Sequence, residues 1–289
     1  LELRENRVYL TGGYRVADEK NAGSDAGEGD AARYTWYSGL FVVDVGDPTT
    51  PAISGYCSYG NAMDLVLREN HAFVTDYNGS MGVMDVSDVS EPTVVGAVQT
   101  AYRTTELALD ERYAYVLADY DLRILDLDDP VAPKEVSTIP AGTTAIDVQG
   151  DYAYTTDSYY GLYVVDVSDR SAPRIVGRYD PDSWANGLAV EGNYVYLANG
   201  IEGLRVIDVS DPTAPVEVGS HDTPGYALNV FVAGGCAYVA DREGGVRVFA
   251  IADPSDPQEV GYFVTMYPAE DVCVDGDDIV VACLGAGFV

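Results

Sequence analysis

The chain has 289 residues, 47% of them hydrophobic, and its 47 acidic side chains against 16 basic ones give a formal net charge of −31. Length and apolar content allow one sizeable core, whereas so acidic a surface excludes nucleic acid and anionic membranes, which require concentrated Lys and Arg. No apolar run reaches the roughly 18 residues that a membrane-spanning helix needs.

In chain order, Leu3-Arg4-Glu5-Asn6 already repeats Leu67-Arg68-Glu69-Asn70, which places Leu1 inside the first strand of a first unit. Gly13 to Ser38 then departs from every later pattern: an acidic, Gly-rich centre from Asp18 to Asp30, then the aromatic Arg33-Tyr34-Thr35-Trp36-Tyr37. We expect an insertion loop at about residues 13–38, either a solvated excursion or a lid that carries Trp36. After it comes Leu40-Phe41-Val42-Val43-Asp44-Val45, closed by Asp47-Pro48 and Pro51. The same line returns at Val83 to Asp88, Leu122 to Leu127, Leu162 to Val167, Leu204 to Val209 and Val246 to Ile251, each followed by one or two Pro. Its Asp falls at 44, 85, 126, 166 and 208, a period of 40 to 42 residues, and periods of that size mark solenoids or propellers.

Within one unit, Ala145 to Gln149 and Tyr152 to Asp157 flank Gly150-Asp151, a tight hairpin signal. Gly161 to Val167 forms a third run, apolar on both faces as a strand covered on both sides would be. A Ser-Asp turn and a fourth run, Arg174 to Tyr179, follow. Pro lacks an N–H, which suits a turn or outer edge and not a ladder interior. Helical spacing is absent throughout. Four antiparallel strands per unit give an all-β fold, a β-propeller of four-stranded blades in one domain spanning residues 1–289. Five units are complete, beginning near Asp64, Glu106, Ala145, Gly187 and Asn229, and the first and last are partial. The sequence reads as a fragment, without an initiator Met and with the last unit stopping near Gly287. The expected ring has seven blades, the last incomplete, with eight as the alternative count.

The line Leu-x-Val-[Ile/Val]-Asp-Val-Ser-Asp-Pro-x-x-Pro resembles the LVIVD-repeat family of bacterial and archaeal propellers, over nearly the whole chain except residues 13–38. That resemblance implies a secreted or cell-surface propeller without an established chemistry. A WD-repeat reading is weaker, since no Trp-Asp pair closes a unit.

In a propeller, the residues opening each first strand and the loops joining strands two and three surround one channel mouth. The opening positions read Asp64, Glu106, Ala145, Gly187, Asn229 and Asp271, preceded by Tyr59, Tyr102, Trp184, Tyr226 and Tyr267. We therefore expect a ligand site of Asp64, Glu106, Asn229 and Asp271, rimmed by those aromatics and by Trp36. The alternative is that repeated residues do repeated structural work. For Asp157 and Asp241, at the ends of second strands, and for the Asp of the repeated line, we expect loop and turn bonding. His71 reads as a packing residue, and His221 falls on an outer strand. Cys57, Cys236, Cys273 and Cys283 lack metal spacing and read as scattered small buried residues with no disulfide framework.

Signatures of a catalytic triad, a His metal site or a phosphate loop are missing. The expected function is a non-enzymatic, extracellular or cell-surface module that binds an unknown ligand or protein on the channel-mouth face. We expect no cofactor, with Ca²⁺ as the only metal considered and no assigned metal residues. The charge excess points to a salt-adapted organism. The alternatives are a carboxylate- or calcium-assisted polysaccharide hydrolase or lyase at the same mouth, and a pure scaffold carrying other domains.

Overall fold

The computed structural model describes residues 1–17, 34–276, 278–284 and 287–288, with the backbone alone for 13–17, 34–37 and 287–288. Every described element is a β-strand, turn or bend. The strands form six four-stranded sheets and one three-stranded sheet, each in simple sequence order.

Blade four shows how the sequence sets the unit. Ala145–Gln149 pairs antiparallel with Tyr152–Asp157. Gly150 turns the corner at φ 63°, a left-handed conformation that glycine alone adopts freely. Gly161–Asp166 pairs next, and Arg174–Tyr179 forms the outer edge. A register shift falls between the third and fourth strands of each complete blade, at Val164/Val165 here, and such bulges add twist. The third strands are buried on both faces, as the unbroken apolar runs required: Leu40, Phe41, Val42 and Val43 all lack solvent contact or nearly so.

Both Asp residues of the repeated line act on the turn that follows. Asp208 Oδ1 accepts the N–H of Ser210 at 2.8 Å, and Asp211 Oδ1 accepts that of Thr213 at 3.0 Å. The same two bonds recur at Asp44 and Asp47, Asp85 and Asp88, Asp126 and Asp129, and Asp166 and Asp169. These Asx-type bonds explain why the line ends in Asp even where its strand is apolar.

The core lies between blades. One cluster joins Tyr9, Leu40 and Val42 of blade one to Leu65, Val74 and Met84 of blade two. Equivalent clusters join each successive pair of sheets. A last one joins Cys273 and Val280 of the three-stranded sheet to Val8 and Val43 of blade one, so the ring closes.

Two expectations need correction. Seven blades are not shown: six are complete, and the third strand of the seventh sheet is only Gly287–Phe288, paired to Ala282 and Cys283. The two ends of the inserted residues 13–38 are also strand and not loop. Arg7–Ala17 and Tyr34–Asp44 pair continuously from Arg7↔Asp44 to Ala17↔Tyr34, extending the blade-one hairpin. Tyr14-Arg15-Val16 facing Thr35-Trp36-Tyr37 is strand-forming sequence on both sides. The acidic centre, residues 18–33, lies outside the described residues. Trp36 sits on this hairpin opposite Arg15, and its side chain likewise lies outside them.

Candidate functional site

The loops expected at one mouth are hydrogen-bonded to one another there. Tyr77 N–H donates to Asn61 O and Asp119 N–H to Arg103 O, within their blades. Between blades, Gly200 pairs with Ala227 and Arg242 with Ala269. The Asp-Pro turns lie at the other end, where Val209 N–H donates to Asn193 O.

Asp64, Glu106, Ala145, Gly187, Asn229 and Asp271, from six different sheets, line one cavity of about 340 Å³. A second cavity of about 280 Å³ shares Asp64, Glu106, Asn229 and Asp271 and continues along the same strands, adding Glu2, Asp147 and Phe231. Both are enclosed by first strands, whose alternating side chains face the channel axis.

These acidic groups are engaged with the scaffold as well as the cavity. Asp64 Oδ1 accepts Leu65 N–H at 2.7 Å, and Oδ2 accepts Leu107 N–H of the next blade at 3.0 Å. Asp147 repeats the device two residues deeper, accepting Val148 N–H at 2.7 Å and Val190 N–H of blade five at 2.8 Å. Asn229 Nδ2 donates to Asp271 Oδ1 at 2.6 Å, tying blade six to the seventh sheet. Burial raises the Asp64 carboxyl above its ordinary range, opposed by those backbone donors, and burial raises Asp147 likewise. Burial pushes Glu2 up to about 7. Glu106 is held well above the usual carboxyl range, first by burial and then by the charges of Asp64 and Asp271. A protonated Glu106 can donate the hydrogen bond it shares with Asp64. Among the described residues, no three His, Cys, Asp or Glu converge to hold a metal ion.

The expected rim divides. Tyr102 is 75% exposed and Trp184 62% exposed, and Tyr267 is half-exposed. Tyr120, Tyr159 and Tyr160 add further exposed rings from the strand two–three loops. Tyr59 belongs instead to the packing: its hydroxyl lies 2.8 Å from Ser80 Oγ and its ring lies over Gly82. Tyr226 is half-buried beneath the Arg242 guanidinium, 5.3 Å from its ring centre.

The second-strand acids do the loop work expected of them. Asp157 Oδ1 accepts the N–H of Tyr159 and Tyr160, and fully buried Asp241 accepts Thr223 Oγ1 at 2.5 Å and Gly225 N–H at 2.8 Å. Asn199, in the same column, is buried with neither amide atom bonded. Sequence reasoning missed Glu2 and Asp147. The signal was present: two residues after each opening position, Glu2 and Asp147 share a column with Val66, Ala108, Ala189, Phe231 and Cys273, and are its two acids. The four Cys are free, and of them Cys236 is only partly buried, against the expectation of four buried residues; His221 packs 4.9 Å from Phe249.

The LVIVD repeat family model matches residues 35–58, 59–100, 103–139, 142–181, 184–223 and 224–265. No curated protein matches the chain. Among solved structures, the chain is similar to the periplasmic gluconolactonase PpgL of Pseudomonas aeruginosa, at 15% identity and TM-score 0.72 over 95% of this chain and 88% of that one. A Lactobacillus plantarum protein aligns at 15% identity and TM-score 0.74, over 96% and 90%. BamB from Moraxella catarrhalis aligns at 16% and 0.58, over 86% and 74%. Likeness at these identities shows the fold alone.

Proposed function

This chain belongs to the LVIVD-repeat family, and on that premise we propose that it is a non-enzymatic binding module of the cell surface or extracellular space. Its ligand, a small molecule or a protein segment, sits at the channel mouth. The observation that carries this reading is convergence: the residues opening six sheets line one cavity, and Tyr102 and Trp184, which precede two of them in sequence, are exposed. Exposed aromatic rings together with a polar pocket favour a ligand with both a flat apolar face and hydrogen-bonding groups. The net charge of −31 supports a salt-adapted source and argues against nucleic acid. Among the described residues no helix is long and apolar enough to cross a membrane. In this reading the three-stranded sheet holds the seventh blade position of the ring.

The test is a screen of the whole chain against neutral oligosaccharides and basic peptides, repeated with Trp184→Ala and Tyr102→Ala. Each substitution should weaken a true mouth ligand about tenfold, or roughly 1.4 kcal/mol, with unchanged melting. Retained affinity in both variants would move the site elsewhere.

A second reading, a carboxylate-driven polysaccharide hydrolase or lyase, rests on Glu106 and Asp64 meeting in one cavity with raised carboxyls. A protonated acid beside a second carboxyl is the pair such chemistry uses. Polysaccharide cleavage that disappears in Glu106→Gln would establish it.

A further inference from the structure

Blades five and six make the same left-handed backbone step after their second strands but fill it differently. Gly200 takes φ 57° there, and Arg242 takes φ 44°. Glycine adopts that conformation freely, whereas an arginine in it is strained. Such strain is kept where a side chain has a role that outweighs it.

The role is not a salt bridge within the chain. Arg123, Arg205 and Arg247, on third strands, each reach a glutamate of their own outer strand. Arg242 has no carboxylate within 4 Å among the described residues, and its buried Nε has no hydrogen-bond partner. Asp241, next to it in the chain, commits its oxygens to Thr223 and Gly225. Glu202 of blade five is taken by Arg205 at 2.9 Å. A chain with 47 acidic side chains thus leaves a half-buried guanidinium open. Tyr226 holds it in place, its ring centre 5.3 Å away.

Neutral polar groups flank the same ring. A methyl group added at Gly200 would lie 3.2 Å from both Ser183 Oγ and Tyr226 Cζ, so two hydroxyl-bearing side chains meet over that glycine. Before it stands Asn199, fully buried with neither amide atom bonded. The column that supplies Asp76, Asp119, Asp157 and Asp241 in other blades supplies an uncharged amide here. A carboxylate in its place would add to the repulsion of any anion at Arg242.

We propose that the junction between the mouth loops of blades five and six is a carboxylate subsite for a sugar acid. Arg242 takes the carboxylate through its planar fork, Ser183 and Tyr226 bond the hydroxyls, and Asn199 keeps the floor uncharged. A single guanidinium matches a planar carboxylate in two parallel bonds, and the surrounding acids oppose a doubly charged phosphate. The subsite rests on the channel-mouth reading and deepens it, by naming a uronic acid as the ligand class.

The probe is D-glucuronate, titrated into the whole chain and followed by ligand-observed NMR, with glucose and the glucuronate methyl ester as controls that lack the charge. Glucuronate should bind saturably and at least about tenfold more tightly than either control. Arg242→Gly, which adopts the blade-five conformation without strain, should erase that preference. Arg242→Lys, which keeps the charge without the fork, should retain part of it, and Asn199→Asp should reduce it. The proposal is overturned if acid and controls bind alike, or if the preference survives in Arg242→Gly. Trp184→Ala and Tyr102→Ala separate the two readings. A preference that survives in Arg242→Gly while every affinity falls in the aromatic variants sinks the subsite alone. A preference lost in Arg242→Gly while every affinity ignores the aromatic variants sinks their part in the mouth and leaves the subsite standing.

Discussion

Glu106 is the residue whose chemistry departs furthest from a surface carboxylate. Its carboxyl is raised in the folded chain by burial and by Asp64 and Asp271, so the folded state binds a proton that the unfolded chain has released above its ordinary pKa near 4.3. Its contribution to stability is therefore full below that value and is lost as pH rises toward the folded pKa. Glu106→Gln, neutral at every pH, should raise the melting temperature at pH 8, change it little at pH 4, and flatten the profile between. A Gln variant that melts lower at pH 8 would show that the charged form is the stabilised one. Asp241 is a structural acceptor: Asp241→Ala leaves Thr223 Oγ1 and Gly225 N–H without their acceptor in a buried loop, which costs about 2 kcal/mol. Chemical denaturation should show that loss, and an unchanged midpoint would deny Asp241 its structural role. The channel acids were legible because the repeat register puts Asp64, Glu106, Asn229 and Asp271 in one column. The partial burial of Tyr59 and Tyr226 was not legible, because it depends on Gly82 and Arg242, which column reading does not bring beside them.

At the scale of the element, outer strands rest on the turn of the next blade. Gly219→Val forces a side chain into Pro254 O and should destabilise by about 1–3 kcal/mol through overpacking. Gly219→Ser should cost less, because Ser137 holds the same place in blade three with its hydroxyl bonded to Arg170 O. Paired denaturation curves decide this, and equal losses would mean that side-chain size does not set the cost. Strand order and Asp-Pro turns were readable from the line alone, since Pro and Asp fix the turn whatever surrounds it. The long blade-one hairpin was not, because the Gly-rich acidic centre drew attention from the strand-forming Tyr14-Arg15-Val16 and Thr35-Trp36-Tyr37 that flank it.

Across the whole molecule, charge and closure act together. A net charge of −31 on a closed ring is self-repulsive in dilute salt. At 1 M ionic strength the screening length falls to about 3 Å, so melting temperature should climb steadily from 0.1 M to 2 M KCl. A flat or falling response would count against salt adaptation. Closure was legible as a periodicity of 40 to 42 residues, whereas the number of complete blades was not, because strand count depends on pairing that only the folded ring displays. The central claim is that a ligand held in the acidic cavity also meets Trp184 and Tyr102. The most direct measurement is a ligand titration of Trp36→Phe protein, in which Trp184 is the sole tryptophan. A bound ligand should change Trp184 emission saturably, and adding Tyr102→Ala should weaken the titration about tenfold. Binding that leaves Trp184 emission unchanged and is indifferent to Tyr102→Ala would contradict the account.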